Sequence, residues 1–189
     1  QGVFIGFESP TAQGLAEIGK KFNLLKARDF RKSVRRIQRH NILVVGSFIM
    51  GLDADKPGIG RRIANTARSY GVDILNALFL TPLPGTRLWD QMESRGCITT
   101  DSFPDDWKYY TLTFPVARYQ QFSCGDILRE METCDGVFYS RWNVLRRVWD
   151  SFWQKRQPMI TLASNLSYRS NLRRSRRVCR EFLHSRAPA

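Results

Sequence analysis

The sequence predicts an α/β fold built on a parallel sheet, and three observations carry that expectation. Apolar runs alternate with segments of helical periodicity through residues 1–97. The central run, Ile42–Met50, is almost continuously apolar and rich in β-branched residues, the pattern of a strand buried on both faces. Each run ends in glycine or proline beside polar groups, where a backbone turns and a ligand can approach closely.

The elements follow in order. Val3–Phe7 is a short strand that closes on Glu8-Ser9. Phe30, Val34 and Ile37 repeat at i, i+4, i+7, which predicts a helix from about Asp29 to Arg39, with Asp29 as N-cap and Asn41 as the stop. Ile42–Met50 is the second strand, and Gly51–Gly58 is a loop by composition. Ile63, Ala67 and Tyr70 mark one face of a second helix that ends at Gly71. Val72–Leu80 is the third strand, closed by Thr81-Pro82-Leu83-Pro84-Gly85-Thr86, and Leu88 to about Arg95 is a third helix. Three strand–helix units are too few for a closed eight-stranded barrel, and a lone three-stranded parallel sheet exposes its edges. The chain also opens on Gln1 in mid-strand, so a further N-terminal segment is expected.

The texture changes after Cys97. Residues 98–125 carry Pro104, Pro115 and many aromatics without periodicity, and read as a linker packed on the sheet. Residues 126–189 read as a basic helical domain. Within it Phe138, Trp142, Leu145, Trp149 and Phe152 recur at steps of 4, 3, 4 and 3, an apolar stripe expected to pack into the core. From Pro158 the residues read as Ser/Asn-rich turns, then a strongly basic helix over Asn171–His184.

Composition narrows the function classes. The 189 residues are 42% hydrophobic and 12% aromatic, values of a globular chain. No apolar run reaches the length of about 18 residues needed to span a bilayer. Twelve Lys/Arg from Arg141 onward face only Asp150 and Glu181, so this stretch holds +10 of the net +13. An acidic partner, nucleic acid or an anionic membrane, is therefore weighed. Cys97, Cys124, Cys134 and Cys179 have no C-x-x-C spacing and read as free thiols in a reducing cytoplasm, with a Cys124–Cys134 pair as the alternative. No metal site is expected within this chain.

In parallel α/β folds ligands sit outside the carboxyl ends of the strands. Those ends read Gly6-Phe7-Glu8-Ser9, Ile49-Met50-Gly51-Leu52-Asp53 and Leu80–Thr86. Together with their order and spacing, the segments VFIGFESP, LLKARDFRKSVRRIQRHNILVVGSFIMGLDAD and LFLTPLPGTRLWDQMESRG resemble the fourth, fifth and sixth strand regions of the radical S-adenosylmethionine (SAM) partial barrel. They are most similar to bacterial members that carry a cobalamin-binding domain. The segments SCGDILREMETCDGVFYS and LASNLSYRSNLRRSRRVCREFL resemble a C-terminal extension of many such proteins.

The resemblance implies an α/β fold that is half of a TIM-type radical SAM barrel with parallel strands, followed by a mainly helical extension. It implies that Glu8 and Ser9 contact the ribose and amino-acid part of SAM. Ile49 and Gly51 would lie against adenine, and Thr81, Pro82 and Leu83 would reach the adenine edge. The fifth-strand motif often places glutamate three residues after the glycine; Ala54 stands there, flanked by Asp53 and Asp55. The family holds a 4Fe-4S cluster on a C-x-x-x-C-x-x-C loop, whose electron cleaves SAM to a 5′-deoxyadenosyl radical. That motif is absent from this chain, so no catalytic residue is assigned in it, and cluster and cobalamin are both expected upstream. The activity implied is C-methylation or a related radical reaction on a lipid or tetrapyrrole, with a reductant protein as partner. The protein is expected in the cytoplasm, with its basic C-terminus against the inner face of the membrane. The alternative is a basic non-catalytic module for nucleic acid or an anionic membrane, nucleic acid ranking lower because the strand-bearing half lacks interleaved basic and aromatic residues.

Overall fold

A computed structural model describes residues 1–20, 29–100, 102–154 and 156–186. Residues 24–28 of the resembling segment, and the last three of the predicted C-terminal domain, lie outside the described residues.

The fold is α/β. Three strands, β1 (Gly2–Glu8), β2 (Leu43–Met50) and β3 (Ile74–Phe79), form one sheet in the order β1-β2-β3, both pairings parallel. Seven α-helices are present among the described residues: α1 (Ala12–Glu17), α2 (Phe30–Gln38), α3 (Ile59–Tyr70), α4 (Arg87–Ser94), α5 (Cys124–Phe138), α6 (Arg141–Trp153) and α7 (Pro158–Ser185).

β2 is the central strand, but it is not buried on both faces as its unbroken apolar run predicts: Leu43, Val45 and Ile49 on the second face are only half-buried. Val44, Phe48 and Met50 face the core with Phe7, Leu75, Ala77 and Phe79, beneath Val34 of α2 and Ile63, Ala64 and Ala67 of α3. Each large apolar side chain in this layer contributes about 1.5–3 kcal/mol on leaving water. The same core continues through Ile127, Met131, Cys134 and Phe138 of α5 to Cys179 of α7. On the other sheet face, Gly6, Ser47 and Asn76 fall in register across the three strands, and Phe4 is exposed.

Helix ends follow their expected residues with one exception. Gly71 closes α3 at φ 78° and Asn41 adopts φ 58° after α2, both left-handed positions these residues tolerate. Asp29 occupies the N-cap position of α2, but its side chain makes no capping hydrogen bond. Its backbone sits near φ −104°, ψ −5° rather than in the extended form that aims a cap at the helix.

The sequence does not predict α1, which is only six residues and buries just Gly14 and Leu15, too little for a periodic signal. Its N-cap is Thr11, whose Oγ1 accepts from the Gly14 N–H at 3.0 Å.

Two expectations for the second half are corrected. Residues from Pro158 form no turns but one 28-residue helix, α7, about 42 Å long. Its Ser/Asn content is accommodated because Asn165 is fully buried and donates to Asp73 O and Thr161 O. The apolar stripe is not core. Phe138 ends α5 and is buried, whereas Trp142, Leu145, Trp149 and Phe152 belong to α6 and are exposed. In residues 98–123, Val116, Ala117, Tyr119 and Phe122 are buried, while Phe103 and Trp107 stack edge-on to each other at the surface.

Candidate functional site

Because all three strands are parallel, their carboxyl ends lie along one margin of the sheet. At β1 a register shift between Gly6 and Glu8 leaves Glu8 at φ 69°, a costly position for a non-glycine residue. The carboxylate folds back over Gly6: a Cβ on Gly6 would stand 2.5 Å from Glu8 Oε1. Glu8 also pairs with Lys20 at 3.7 Å. Ser9 is buried; its Oγ lies 3.2 Å from Thr11 Oγ1 and accepts from the Thr11 N–H at 3.2 Å. Ser9 thus positions the start of α1.

At β2, Ile49 is half-buried and Gly51 has φ 105°. A Cβ on Gly51 would approach Tyr119 Cε1 to 2.6 Å and Ile127 Cδ1 to 2.9 Å. Glycine is required here by its backbone angle and by the Tyr119 ring. The Asp55 carboxylate accepts from the Gly51 N–H at 2.9 Å and the Leu52 N–H at 3.1 Å, while its other oxygen is buried without a partner among the described residues. Burial pushes Asp55 from 3.8 up to about 6, against those two amide bonds, which pull it down.

The loop beyond is held from outside. Glu17 of α1 accepts from the Asp53 and Ala54 N–H groups at 2.9 and 3.0 Å. Glu130 of α5 accepts from the Gly58 and Gly60 N–H groups at 2.7 and 2.8 Å. Of the two aspartates flanking Ala54, Asp55 turns inward and Asp53 pairs with Arg95 at 3.3 Å.

At β3, Thr81 and Pro82 are buried and Leu83 is exposed. The Thr81 hydroxyl donates to Phe79 O at 3.1 Å, and Tyr119 donates to Leu80 O at 3.2 Å. Tyr119 thus spans the ends of β2 and β3.

A cavity of about 620 Å³ opens beside these ends. Leu52, Leu80, Leu88 and Met92 give it an apolar wall, and Glu17, Asp53, Arg87, Arg95 and Arg118 give it charges of both signs. Of the residues assigned by resemblance, Gly51 lines this cavity. Glu8, Ser9, Ile49, Thr81, Pro82 and Leu83 lie on the strand ends outside its lining. Sequence reading missed Glu17, which belongs to the unpredicted α1, and Tyr119, one of many aromatics in an aperiodic stretch. Neither has a local signal.

The four cysteines are free, and Cys124 and Cys134 are not joined. Among the described residues no three His, Cys, Asp or Glu side chains gather as a metal site. Burial pushes the Cys134 thiol well above its ordinary range and Cys179 up to about 11. These thiols do not fit an iron–sulfur cluster.

The relatives of this chain are methyltransferases by name. It is 30% identical to the hopanoid C-2 methylase of Rhodopseudomonas palustris over 99 residues, 52% of this chain and 18% of the relative. An uncharacterized methyltransferase of Pyrococcus horikoshii is 27% identical over 143 residues, 76% of this chain and 30% of that protein. An uncharacterized methyltransferase of Synechocystis sp. is 30% identical over 100 residues, 53% and 18% respectively. The chain thus spans less than a third of the length of these relatives. No protein-family model matches it.

Proposed function

We propose that this chain is the carboxyl-terminal part of a SAM-dependent methyltransferase of the radical type, its three strands being half of a partial barrel. The observation that carries the reading is the alignment of three parallel strand ends beside a mixed apolar and charged cavity, in a chain whose relatives are named methyltransferases. SAM presents a flat purine, a ribose diol and a zwitterion, and the cavity's apolar wall with charges of both signs suits that chemistry. In this reading SAM lies along the strand ends and reaches the cavity at Gly51: Glu8 and Ser9 would meet the ribose and amino-acid part, Ile49 and Gly51 the adenine face, and Thr81, Pro82 and Leu83 the adenine edge. The cluster thiolates and the cobalamin domain belong ahead of Gln1, and a reductant protein supplies the electron. Bound there, cluster and cobalamin would supply the radical and the methyl group. The relative named for hopanoid methylation favours a hopanoid-like lipid over a tetrapyrrole as substrate.

Equilibrium dialysis with radiolabelled SAM tests the reading. The expected result is saturable binding, displaced by S-adenosylhomocysteine and weakened in E8Q. Absence of binding, together with encoding DNA that carries no C-x-x-x-C-x-x-C upstream of Gln1, would overturn it.

A further inference from the structure

Helix α6 lies with its polar side inward. Asn143, Val144 and Ser151 are buried and Arg147 is half-buried, all on the side that meets α5 and α7. This seam is hydrogen-bonded. Arg147 donates to Asn165 Oδ1 at 2.7 Å and to Phe138 O at 3.0 Å, with its guanidinium 4.0 Å over the Phe138 ring. Asn143 donates to Val137 O at 2.6 Å, and the Thr161 and Ser151 hydroxyls meet at 3.3 Å. The facing residues of α7 are polar in turn, so polar groups meet polar groups across the seam.

The opposite side of α6 is apolar and in water. Trp142 is 75% exposed, Trp149 60% and Trp153 66%, with Leu145 and Phe152 beside them. Trp149, Phe152 and Trp153 contact one another, with ring centroids 5.7–6.2 Å apart. The surface continues across the turn to Met159 and Ile160 at the start of α7, both exposed. A contiguous patch of this kind on a soluble chain marks an interaction surface.

Charge identifies the occupant. Arg141 and Arg146 flank the aromatic side on α6, and Arg169, Arg173, Arg174 and Arg177 follow on α7, where Arg169, Arg173 and Arg177 share a cavity with Glu132 and Asp135 of α5; among the described residues none of the six arginines forms an ion pair. On the other flank of α6 a cavity of about 380 Å³ is lined by Arg31, Arg35, Arg68, Arg146, Arg147 and Arg156 against Asp73 and Asp150, an excess of positive charge. Arg147 Nη1 and Arg156 Nε are buried there without an acceptor among the described residues. A second copy of the chain would bring like charge to like charge. Aromatics gathered on one face, with arginines at its margins, are instead the pattern of a helix lying in a membrane interface.

We propose that the exposed face of α6 docks on an anionic lipid bilayer, with Trp142, Trp149, Phe152 and Trp153 entering the headgroup–acyl boundary and the flanking arginines meeting lipid phosphates. This surface is separate from the strand-end site, and its test requires no SAM.

The 189-residue chain is mixed with phosphatidylcholine vesicles and with phosphatidylcholine–phosphatidylglycerol vesicles. It is expected to co-sediment with the mixed vesicles, with blue-shifted tryptophan emission quenched by brominated acyl chains. W149S/F152S removes only exposed rings, so its circular dichroism stays unchanged while partition falls by about tenfold or more. R173Q/R177Q lowers partition by about tenfold and flattens its salt dependence. No partition, or full partition of W149S/F152S, overturns the proposal. So does a dimer that W149S/F152S converts to monomer, which assigns the face to a second copy. Shielding of Trp149 and Trp153 from acrylamide without lipid, in the whole polypeptide encoded around this chain, would assign it to an internal contact and equally overturn it.

Discussion

Asp73 and Arg156, 83 positions apart, form a buried ion pair, with Arg156 Nη2 2.8 Å from Asp73 Oδ1 and the side chains 7% and 5% exposed for Arg156 and Asp73. The second Asp73 oxygen accepts from the Val44 N–H at 2.8 Å and from Gln38 Nε2 at 2.9 Å. One carboxylate beside the start of β3 thereby joins α2, β2 and the connection from α6 to α7.

Breaking this pair leaves an uncompensated buried charge. R156M is expected to destabilise by about 3–5 kcal/mol, and D73N/R156M by much less than the sum of the two single changes. Urea denaturation of the four proteins in a double-mutant cycle measures the coupling; additive losses would show that the pair contributes nothing beyond its separate contacts.

Asp55 gives the chain a pH dependence. Its folded-state pKa, about 6 against 3.8, is raised, so the folded protein holds this proton more tightly than the unfolded one. Its contribution is full below about pH 4 and is lost as the pH rises through about 6, on the order of 3 kcal/mol. D55N keeps an acceptor for the Gly51 and Leu52 N–H groups and carries no charge. It is expected to flatten the stability profile between pH 4 and 6 and to be more stable than the parent at pH 8. D55A orphans two amides and is expected to destabilise at every pH by about 1–3 kcal/mol for each. Urea midpoints across this range decide; an unchanged profile in D55N would assign the ionisation elsewhere.

Gly51 and Tyr119 are coupled by contact. G51A adds a side chain at φ 105° and drives it into the Tyr119 ring. A loss of about 2–4 kcal/mol is expected from backbone strain and overpacking together. Y119A removes the Tyr119 part of the clash but leaves Ile127 and the strain, so the double variant is expected to lose less than the two single changes combined. Strict additivity in denaturation would place the cost of G51A in its backbone and its contact with Ile127.

Much of the first half was legible because each of its signals is local. The runs Ile42–Met50 and Val72–Leu80 contain β2 and β3, β1 extends one residue beyond Val3–Phe7 at each end, and Asn41 and Gly71 end their helices by tolerating positive φ. The second half was less so, for a reason visible in α6. Its 3.6-residue pattern shows that one side is apolar, not which side another element covers. That is decided by Asn165 and Thr161 on α7, whose polarity matches Arg147 and Ser151 across the seam. Similarly, composition shows carboxylates near Gly51 but not that Asp55 alone turns beneath it. Glu17 arrives from a six-residue helix that periodicity does not register.

Tyr139 guards the outer edge of β3. Its hydroxyl accepts from the Leu75 N–H at 3.0 Å and donates to the Leu75 carbonyl at 2.8 Å, occupying both edge groups of that residue. Y139F keeps the ring and leaves both unpaired. A loss of about 1–3 kcal/mol is expected, with a rise in association by light scattering as the edge becomes available for pairing. Unchanged stability would mean that water replaces the phenol.

The loop after β2 has an electrostatic consequence of its own. Six amides of this loop and the first turn of α3, from Gly51, Leu52, Asp53, Ala54, Gly58 and Gly60, already donate to Asp55, Glu17 and Glu130. In many nucleotide-binding folds the corresponding turn keeps its N–H groups free and grips a phosphate. Here carboxylates have taken those positions, so none of these six donors is left for a phosphate, and the positive charge at this margin comes instead from the side chains of Arg87, Arg95 and Arg118.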